Sequence, residues 1–323
     1  MGNLPEKRLS FERSFLNVGV DYCGPFYVKQ RRHRNRGKDK VHIAVFICFA
    51  TKAVHFEVVS DETTDAFLGC LKRFFSRRGK AKTIHSDNGR NFVGANNELN
   101  RLYEFVETEI KSDAVRQFLL ENKVKWFFNP PSSPHFGGLW EASVKSLKYH
   151  LTRTIENTLL TYEQLETCVV EIEAILNSRP LTPMSSDPND ILPLTPGHFL
   201  IGDSLTSFPQ RDHEGININR LSDWQRVEQL RQHFWSRWYK EYLNEMLSRN
   251  KWKGMSKQDK IKIGTMVILS ESNVPPMCWK LGRITQIFPG KDGVIRVVSV
   301  RTKFGEYTRS VHKVYPLPIY EQE

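Results

Sequence analysis

A chain of 323 residues, 39% hydrophobic and 26% charged, has the composition of a folded protein with room for two or three domains, which excludes a disordered or fibrous class. Its formal net charge of +11 points to a polyanionic partner, with nucleic acid first in line. No apolar run is long enough to cross a bilayer and no signal-peptide core stands near the start, so a membrane role is not expected. Five cysteines with no C-x-x-C pair fit reduced thiols in an intracellular setting.

Residues 1–14 are polar and read as an arm. FLNVGVDYC, residues 15–23, has the pattern of a strand, with Asp21 set among Val18, Val20, Tyr22 and Cys23. A carboxylate in such a strand needs a cation partner or a proton. Gly24-Pro25 is expected to end that strand. The basic run RRHRNRGKDK, residues 31–40, is expected at a hairpin tip, followed by a central apolar strand over 42–49 and a third strand over 53–59. Residues 61–79 carry Phe67, Leu71, Phe74 and Phe75 at helical spacing and end at Gly79. In AKTIHSDNGRNF, residues 81–92, Thr83 and Ile84 close a fourth strand and Asp87-Asn88-Gly89 reverses the chain. Asp87 then stands at the carboxyl end of a strand, where open α/β sheets carry their sites. Read alone, it is a turn residue.

Residues 96–122 are expected as two short helices. Leu99, Leu102 and Phe105 line the first; Val115, Phe118 and Leu119 line the second, with Ser112 as its N-cap. A fifth strand follows over 124–128, then a turn-rich loop over 129–138. From Gly138 a helix puts Trp140, Val144, Leu147, Leu151 and Ile155 on one stripe. Glu141, Lys145 and Lys148 share the neighbouring stripe. They read either as a surface Glu–Lys pair or as a metal-binding carboxylate beside two phosphate-binding ammonium groups. Thr161-x-x-Gln164 and Ser222-x-x-Gln225 have the spacing of capping boxes that open two further helices. The first should bury Tyr162, Leu165, Val169, Ile172 and Leu176. The second carries Trp224, Val227, Leu230, Phe234, Trp238 and Tyr242, a stripe suited to a core or to a partner chain. Between them, six prolines over 180–220 mark a linker or a segment laid over a neighbour. Residues 261–316 hold short strand candidates separated by turns, with nine Lys or Arg against three Asp or Glu. That is the pattern of a small basic all-β barrel able to bind a phosphate backbone. The expected domains are an arm (1–14), an α/β core (15–178), a linker with a long aromatic helix (179–260) and a basic SH3-like β-barrel (261–323).

Asp21, Asp87 and Glu141 can meet if the first and fourth strands are neighbours and the Glu141 helix crosses that edge. Oxygen-only ligands suit Mg²⁺ or Mn²⁺. Two such ions about 3.5–4 Å apart serve phosphodiester chemistry, and no nucleophile–base pair for a covalent enzyme intermediate is evident. The ordered set VGVDYCGPF, KAVHFEVV, HSDNGRNF and Gly137-Gly138-x-x-Glu141 resembles the catalytic core of retroelement and retroviral integrases. The resemblance implies an RNase H-like mixed five-stranded sheet with flanking helices and a D,D,E triad at Asp21, Asp87 and Glu141 holding Mg²⁺ or Mn²⁺. Asn88, Lys145 and Lys148, and Arg283, Arg296, Arg301 and Lys303 in the barrel, are then the expected DNA contacts. LTPGHFLIG, residues 194–202, and the C-terminal barrel resemble Bel/Pao-type LTR retrotransposon integrases in particular. The implied activity is metal-dependent 3′-end processing followed by strand transfer into target DNA, by a homo-oligomer acting in the nucleus.

Two departures stand out. The stretch between Asp87 and Glu141 exceeds the family's usual spacing, and the 96–122 helices are read as an insertion. The family's N-terminal His-His-Cys-Cys zinc domain has no counterpart here, which leaves open a polyprotein piece or a host gene derived from one. The alternatives are a domesticated DNA-binding or assembly protein without strand transfer, and an RNase H-like nuclease.

Overall fold

A computed structural model describes residues 12–30, 37–110, 112–129, 138–155, 158–185, 187–251 and 261–318. Most of the arm, the tip of the basic run over 31–36 and most of the 129–138 loop lie outside the described residues, as do the side chains of Val115, Phe118 and 138–144. The chain divides into two compact units, Met1–Glu173 and Ala174–Glu323.

The first unit is built on strands β1 (Asn17–Lys29), β2 (Lys38–Cys48), β3 (Val54–Val59), β4 (Thr83–Ser86) and β5 (Lys125–Phe128). Their spatial order is β3-β2-β1-β4-β5. The β1–β2 and β2–β3 pairs are antiparallel, whereas β1–β4 and β4–β5 are parallel. Helices α1 (Thr64–Arg78), α2 (Arg90–Glu109), α3 (Asp113–Glu121) and α4 (Gly138–Ile155) fill the connections. A two-residue strand β6 (Leu160–Thr161) adds to β1, and α5 (Tyr162–Asn177) follows it. β2 is buried along Val41–Cys48, as its near-continuous apolar run requires of a central strand.

Several local expectations change. β1 does not end at Gly24-Pro25: the pair forms a register shift between Cys23 and Phe26, and the strand runs on to Lys29 against β2. A bulge absorbs the proline that cannot donate to the ladder. α2 starts at Arg90, six residues earlier than expected, and runs through Gly94. A Cβ at Gly94 would lie 2.2 Å from Thr64 Oγ1, so this glycine serves close approach to the start of α1 rather than a chain break. The buried face of α2 is Phe92, Ala95 and Tyr103, whereas Leu102 and Phe105 are exposed. Tyr103 wins the inward position because its hydroxyl accepts the Val124 backbone N–H at 3.0 Å. In α5, Thr161 and Gln164 exchange the two reciprocal bonds of a capping box, at 3.2 and 2.9 Å. Tyr162 is not in the core, since its ring is partly exposed and its hydroxyl donates to Val58 O.

The edge strand β3 is protected by charge. Glu173 on α5 accepts the outward Phe56 N–H at 2.8 Å, closing an edge that could template another chain. His55 (1% exposed) lies between Glu57 Oε1 at 3.0 Å and Glu173 Oε2 at 3.3 Å. Arg73 and Arg77 pair with Glu57, and Arg78 pairs with Glu173. Burial pulls the His55 pKa down, but the Glu173 and Glu57 carboxylates outweigh burial and raise it above the usual 6.5. Arg78 Nε stands 3.3 Å from the same imidazole and opposes them; the carboxylates prevail because two of them flank the ring, against one guanidinium. A raised histidine contributes stability that is complete below its ordinary pKa and is lost as pH rises through the folded value. The urea midpoint of the wild type should therefore exceed that of His55→Gln most at about pH 6, and the gap should narrow by about pH 8.5. A gap independent of pH would show that His55 stays neutral.

The second unit contains the end of α5 and a small pair of strands, β7 (Thr182–Pro183) and β8 (Pro193–Leu194). Beyond them come a one-turn helix α6 (His198–Ile201) and the long helix α7 (Asp223–Lys251). The five strands β9 (Met266–Leu269), β10 (Leu281–Pro289), β11 (Ile295–Thr302), β12 (Gly305–Ser310) and β13 (Val314–Pro316) follow. They form an antiparallel sheet in the order β12-β11-β10-β9-β13, consistent with a small barrel, around Val267, Leu269, Ile284, Val298, Val300 and Val314. Ser222 and Gln225 make the second capping box, at 3.4 and 3.0 Å.

The α7 stripe is committed inside this unit, not held for a partner. Trp279 lies against Trp235, Trp238, Tyr239 and Tyr242 at centroid distances of 4.9–6.0 Å. Trp235 Nε1 donates to Val274 O and Tyr239 Oη to Leu269 O. Trp224, expected on the stripe, is 58% exposed, because it sits in the first turn ahead of these contacts. On its polar side α7 holds the irregular chain before it: the Gln229 amide donates to the His213 and Ile216 carbonyls, and Gln232 accepts the His213 N–H.

Candidate active site

β1 and β4 run in parallel, with Asn17, Val18 and Gly19 opposite Thr83, Ile84 and His85. Asp21 lies two residues past Gly19, and Asp87 two residues past His85. Because strand side chains alternate with period two, Asp21 points to the Gly19 face of the sheet. It is also paired with Val45 of β2. Asp21 is half-buried and Asp87 exposed.

The turn at Asp87 is fixed by its neighbours. Asp87 Oδ1 accepts the Gly89 N–H at 2.9 Å, an Asx turn. Gly89 has φ −55°, so it is not needed for a left-handed conformation. A Cβ there would meet Asp87 Oδ1 at 3.0 Å and Asn91 Oδ1 at 2.8 Å, so close approach is the reason for glycine. Trp126 Nε1 donates to Ser86 Oγ at 2.9 Å, Ser86 Oγ donates to Asp87 O at 2.8 Å, and Asn129 N–H returns to Ser86 O. Asn88 Nδ2 donates to Asn129 O at 3.1 Å, tying the turn to the end of β5. Ser86, Trp126 and Asn129 are positioning residues that sequence reading missed. A buried serine just ahead of a turn was the signal available for one of them.

Opposite, α4 packs on β1, burying Leu147, Leu151 and Ile155. Lys148 Nζ reaches Asp21 Oδ2 at 2.6 Å, and Asp21 Oδ1 accepts the Tyr22 N–H at 2.7 Å. Glu141 lies on α4 seven residues before Lys148, hence on the same helix face and about 10 Å nearer the N-terminus; its side chain lies outside the described residues. Lys145 is exposed. Among the described residues, no three His, Cys, Asp or Glu side chains gather closely enough to hold a metal. The donor set nonetheless suits a hard cation. Asp21 carries a carboxylate that already holds a cation, the Lys148 ammonium, and Asp87 offers an exposed second carboxylate beyond the adjacent strand. Cys23, two residues from Asp21, is no nucleophile here, because burial pushes its thiol up to about 11.

In the barrel the expected phosphate contacts separate. Arg283 is 6% exposed, and its guanidinium donates to the carbonyls of Asp190, Gly264 and Ser185. It ties the proline-rich segment to the barrel, so the expectation of a DNA contact there is corrected: a buried guanidinium with three carbonyl acceptors has no reach to a phosphate. Arg301 donates to Pro188 O and Asn189 Oδ1, and Arg296 forms a two-bond pair with Asp292. Lys303 is exposed at the β11–β12 turn.

The mixed sheet of three antiparallel strands extended by two parallel ones, with helices on it, is the RNase H-like arrangement. Residues 21–134 match the integrase core domain, a domain that points to polynucleotidyl transferases. The matched stretch contains Asp21 and Asp87 and stops short of Glu141. Residues 222–317, which hold α7 and the barrel, match a family of unknown function (DUF5641). The two domains together are typical of retroelement integrases. Integrase core domains bind DNA and generally use divalent metals. No match to a curated protein was found. Among the described residues no helix is long and apolar enough to cross a membrane.

Proposed function

We propose that this chain is the DNA strand-transfer enzyme of an LTR retroelement, of the Bel/Pao type by its 194–202 stretch and its barrel. It processes the 3′ ends of element DNA and joins them to target DNA in the nucleus, as a homo-oligomer on paired ends. The observation that carries the reading is the β1–β4 register. Its last pair is Gly19 with His85, and two residues further on stand Asp21, still on β1, and Asp87, in the turn just past β4, at the carboxyl end of the parallel pair, where such sheets hold their sites.

In this reading Asp21, Asp87 and Glu141 hold Mg²⁺ or Mn²⁺, which when bound stabilises charge on the attacking and departing oxygens. The protein's own residues do the rest. The Asx turn and the Ser86–Trp126 bond hold Asp87 in place. Asn88, Lys145 and Lys148 orient the DNA end, and Lys303 and Arg296 on the barrel add sequence-independent phosphate affinity. In processing, water attacks a phosphorus near the 3′ end, one P–O bond forms as another breaks, and a 3′-hydroxyl is left. In transfer, that hydroxyl attacks a target phosphodiester and the displaced target 3′-oxygen takes up a proton, so the number of phosphodiesters is unchanged.

A second reading, a DNA-binding protein without strand transfer, draws support from the Lys148–Asp21 pair, which spends a metal ligand on an ammonium group. The full chain incubated with Mg²⁺, short duplexes bearing a free 3′-hydroxyl and a target plasmid separates them. Joined products are expected. Tight DNA binding with no joining would favour the second reading, and cleavage of RNA–DNA hybrids without joining would mark a nuclease.

A further inference from the structure

The chemistry that the integrase core domain implies does not account for why an α4 lysine sits on a β1 aspartate. Lys148 Nζ is 2.6 Å from Asp21 Oδ2, with the two side chains 32% and 25% exposed. The other carboxylate oxygen is taken by the Tyr22 N–H. Asp21 thus enters cation binding with both oxygens engaged, and the ammonium is the one partner that can leave, since the backbone donor is fixed in the strand. An ammonium ion and a divalent cation cannot share one carboxylate oxygen without strong repulsion. Nor can one ammonium hold Asp21 and a DNA phosphate in the same geometry.

Resting on the metal-site reading above, we propose that Lys148 is an exchange residue. It neutralises Asp21 while no divalent cation is bound, and passes to a DNA phosphate when the cation takes the carboxylate. The exchange makes cation and DNA each favour the other's binding. DNA that draws Lys148 away uncovers Asp21, and a cation on Asp21 releases Lys148; by linkage the two effects are equal. Lys145, one turn earlier on the same helix and exposed, carries the same charge without that pair and serves as the internal control.

The test measures Mn²⁺ binding to the full chain by the paramagnetic resonance of free Mn²⁺, with and without a short duplex. Lys148→Met keeps the apolar stem and removes the ammonium, and Lys148→Gln repeats the test with a polar replacement. Without DNA, both should bind Mn²⁺ about fivefold more tightly than wild type, the upper end for a partly exposed ion pair. Lys145→Met should stay within about twofold, because the ion pair that covers Asp21 is made by Lys148 and not by Lys145. The duplex should tighten Mn²⁺ binding to the wild type and leave the Lys148 variants nearly unchanged, after subtracting Mn²⁺ held by the duplex with Asp21→Asn. Equal gains in the Lys145 and Lys148 variants, or equal tightening by DNA in wild type and Lys148→Met, would overturn the exchange. If Asp21→Asn binds Mn²⁺ as well as wild type does, the metal-site reading itself fails. If Asp21→Asn weakens binding while Lys148→Met changes nothing, only the exchange fails.

Discussion

Asp87→Asn is expected to slow joining of DNA ends by about 10³-fold, the scale of removing one electrostatic stabiliser from a reacting centre, while duplex binding stays within about twofold. The substitution is chosen for what it preserves. The Asp87 Oδ1 that accepts the Gly89 N–H has an equivalent in the asparagine carbonyl, so the turn and the start of α2 persist. The bonds from Trp126 to Ser86 and from Ser86 to the residue 87 carbonyl do not involve the side chain at all. What disappears is the charge, which is what a divalent cation needs and what an exposed carboxylate next to a glycine turn does not need for folding. Joining assayed with Mg²⁺ and binding assayed by anisotropy on the same duplex make the comparison. Parallel loss of both would mean that the turn had been disturbed, and retained joining would remove Asp87 from the chemistry.

Trp279→Ala should destabilise the second unit by about 3 kcal/mol, the low end for deleting a large aromatic ring, since this ring is only partly buried. Four aromatic rings of α7 surround it, and its Nε1 donates to Ser178 Oγ at 3.1 Å. Trp279→Phe keeps most of the ring contact and loses the hydrogen bond, for about 1 kcal/mol. Urea unfolding of the full chain, followed by tryptophan fluorescence and by far-ultraviolet dichroism, measures both. A cost below about 1 kcal/mol for the alanine variant would mean that the α7 stripe is not locked onto this ring, and would reopen a partner chain as its use.

What could be read from the order of residues was what few residues decide among themselves. The capping boxes at Thr161 and Ser222 close hydrogen bonds over three residues, so their spacing in the chain is already their geometry. The all-apolar run of β2 demands cover on both faces wherever it is put. The ordered set VGVDYCGPF, KAVHFEVV, HSDNGRNF and Gly137-Gly138-x-x-Glu141 pointed to an integrase core, the domain that residues 21–134 match.

The tertiary structure alone decided which member of each local pattern faces inward and which charge meets which. Tyr103 displaces Leu102 and Phe105 from the core because Val124, 21 residues on, offers an N–H to its hydroxyl. Position 94, inside α2, is glycine because Thr64 comes too near for a Cβ. Arg283 turns inward to three carbonyls far away in the chain, and Lys148 crosses 127 positions to reach Asp21. Each is a contact between segments distant in sequence, and a side chain's charge or hydrophobicity names the kind of partner it needs without saying where the fold will bring one.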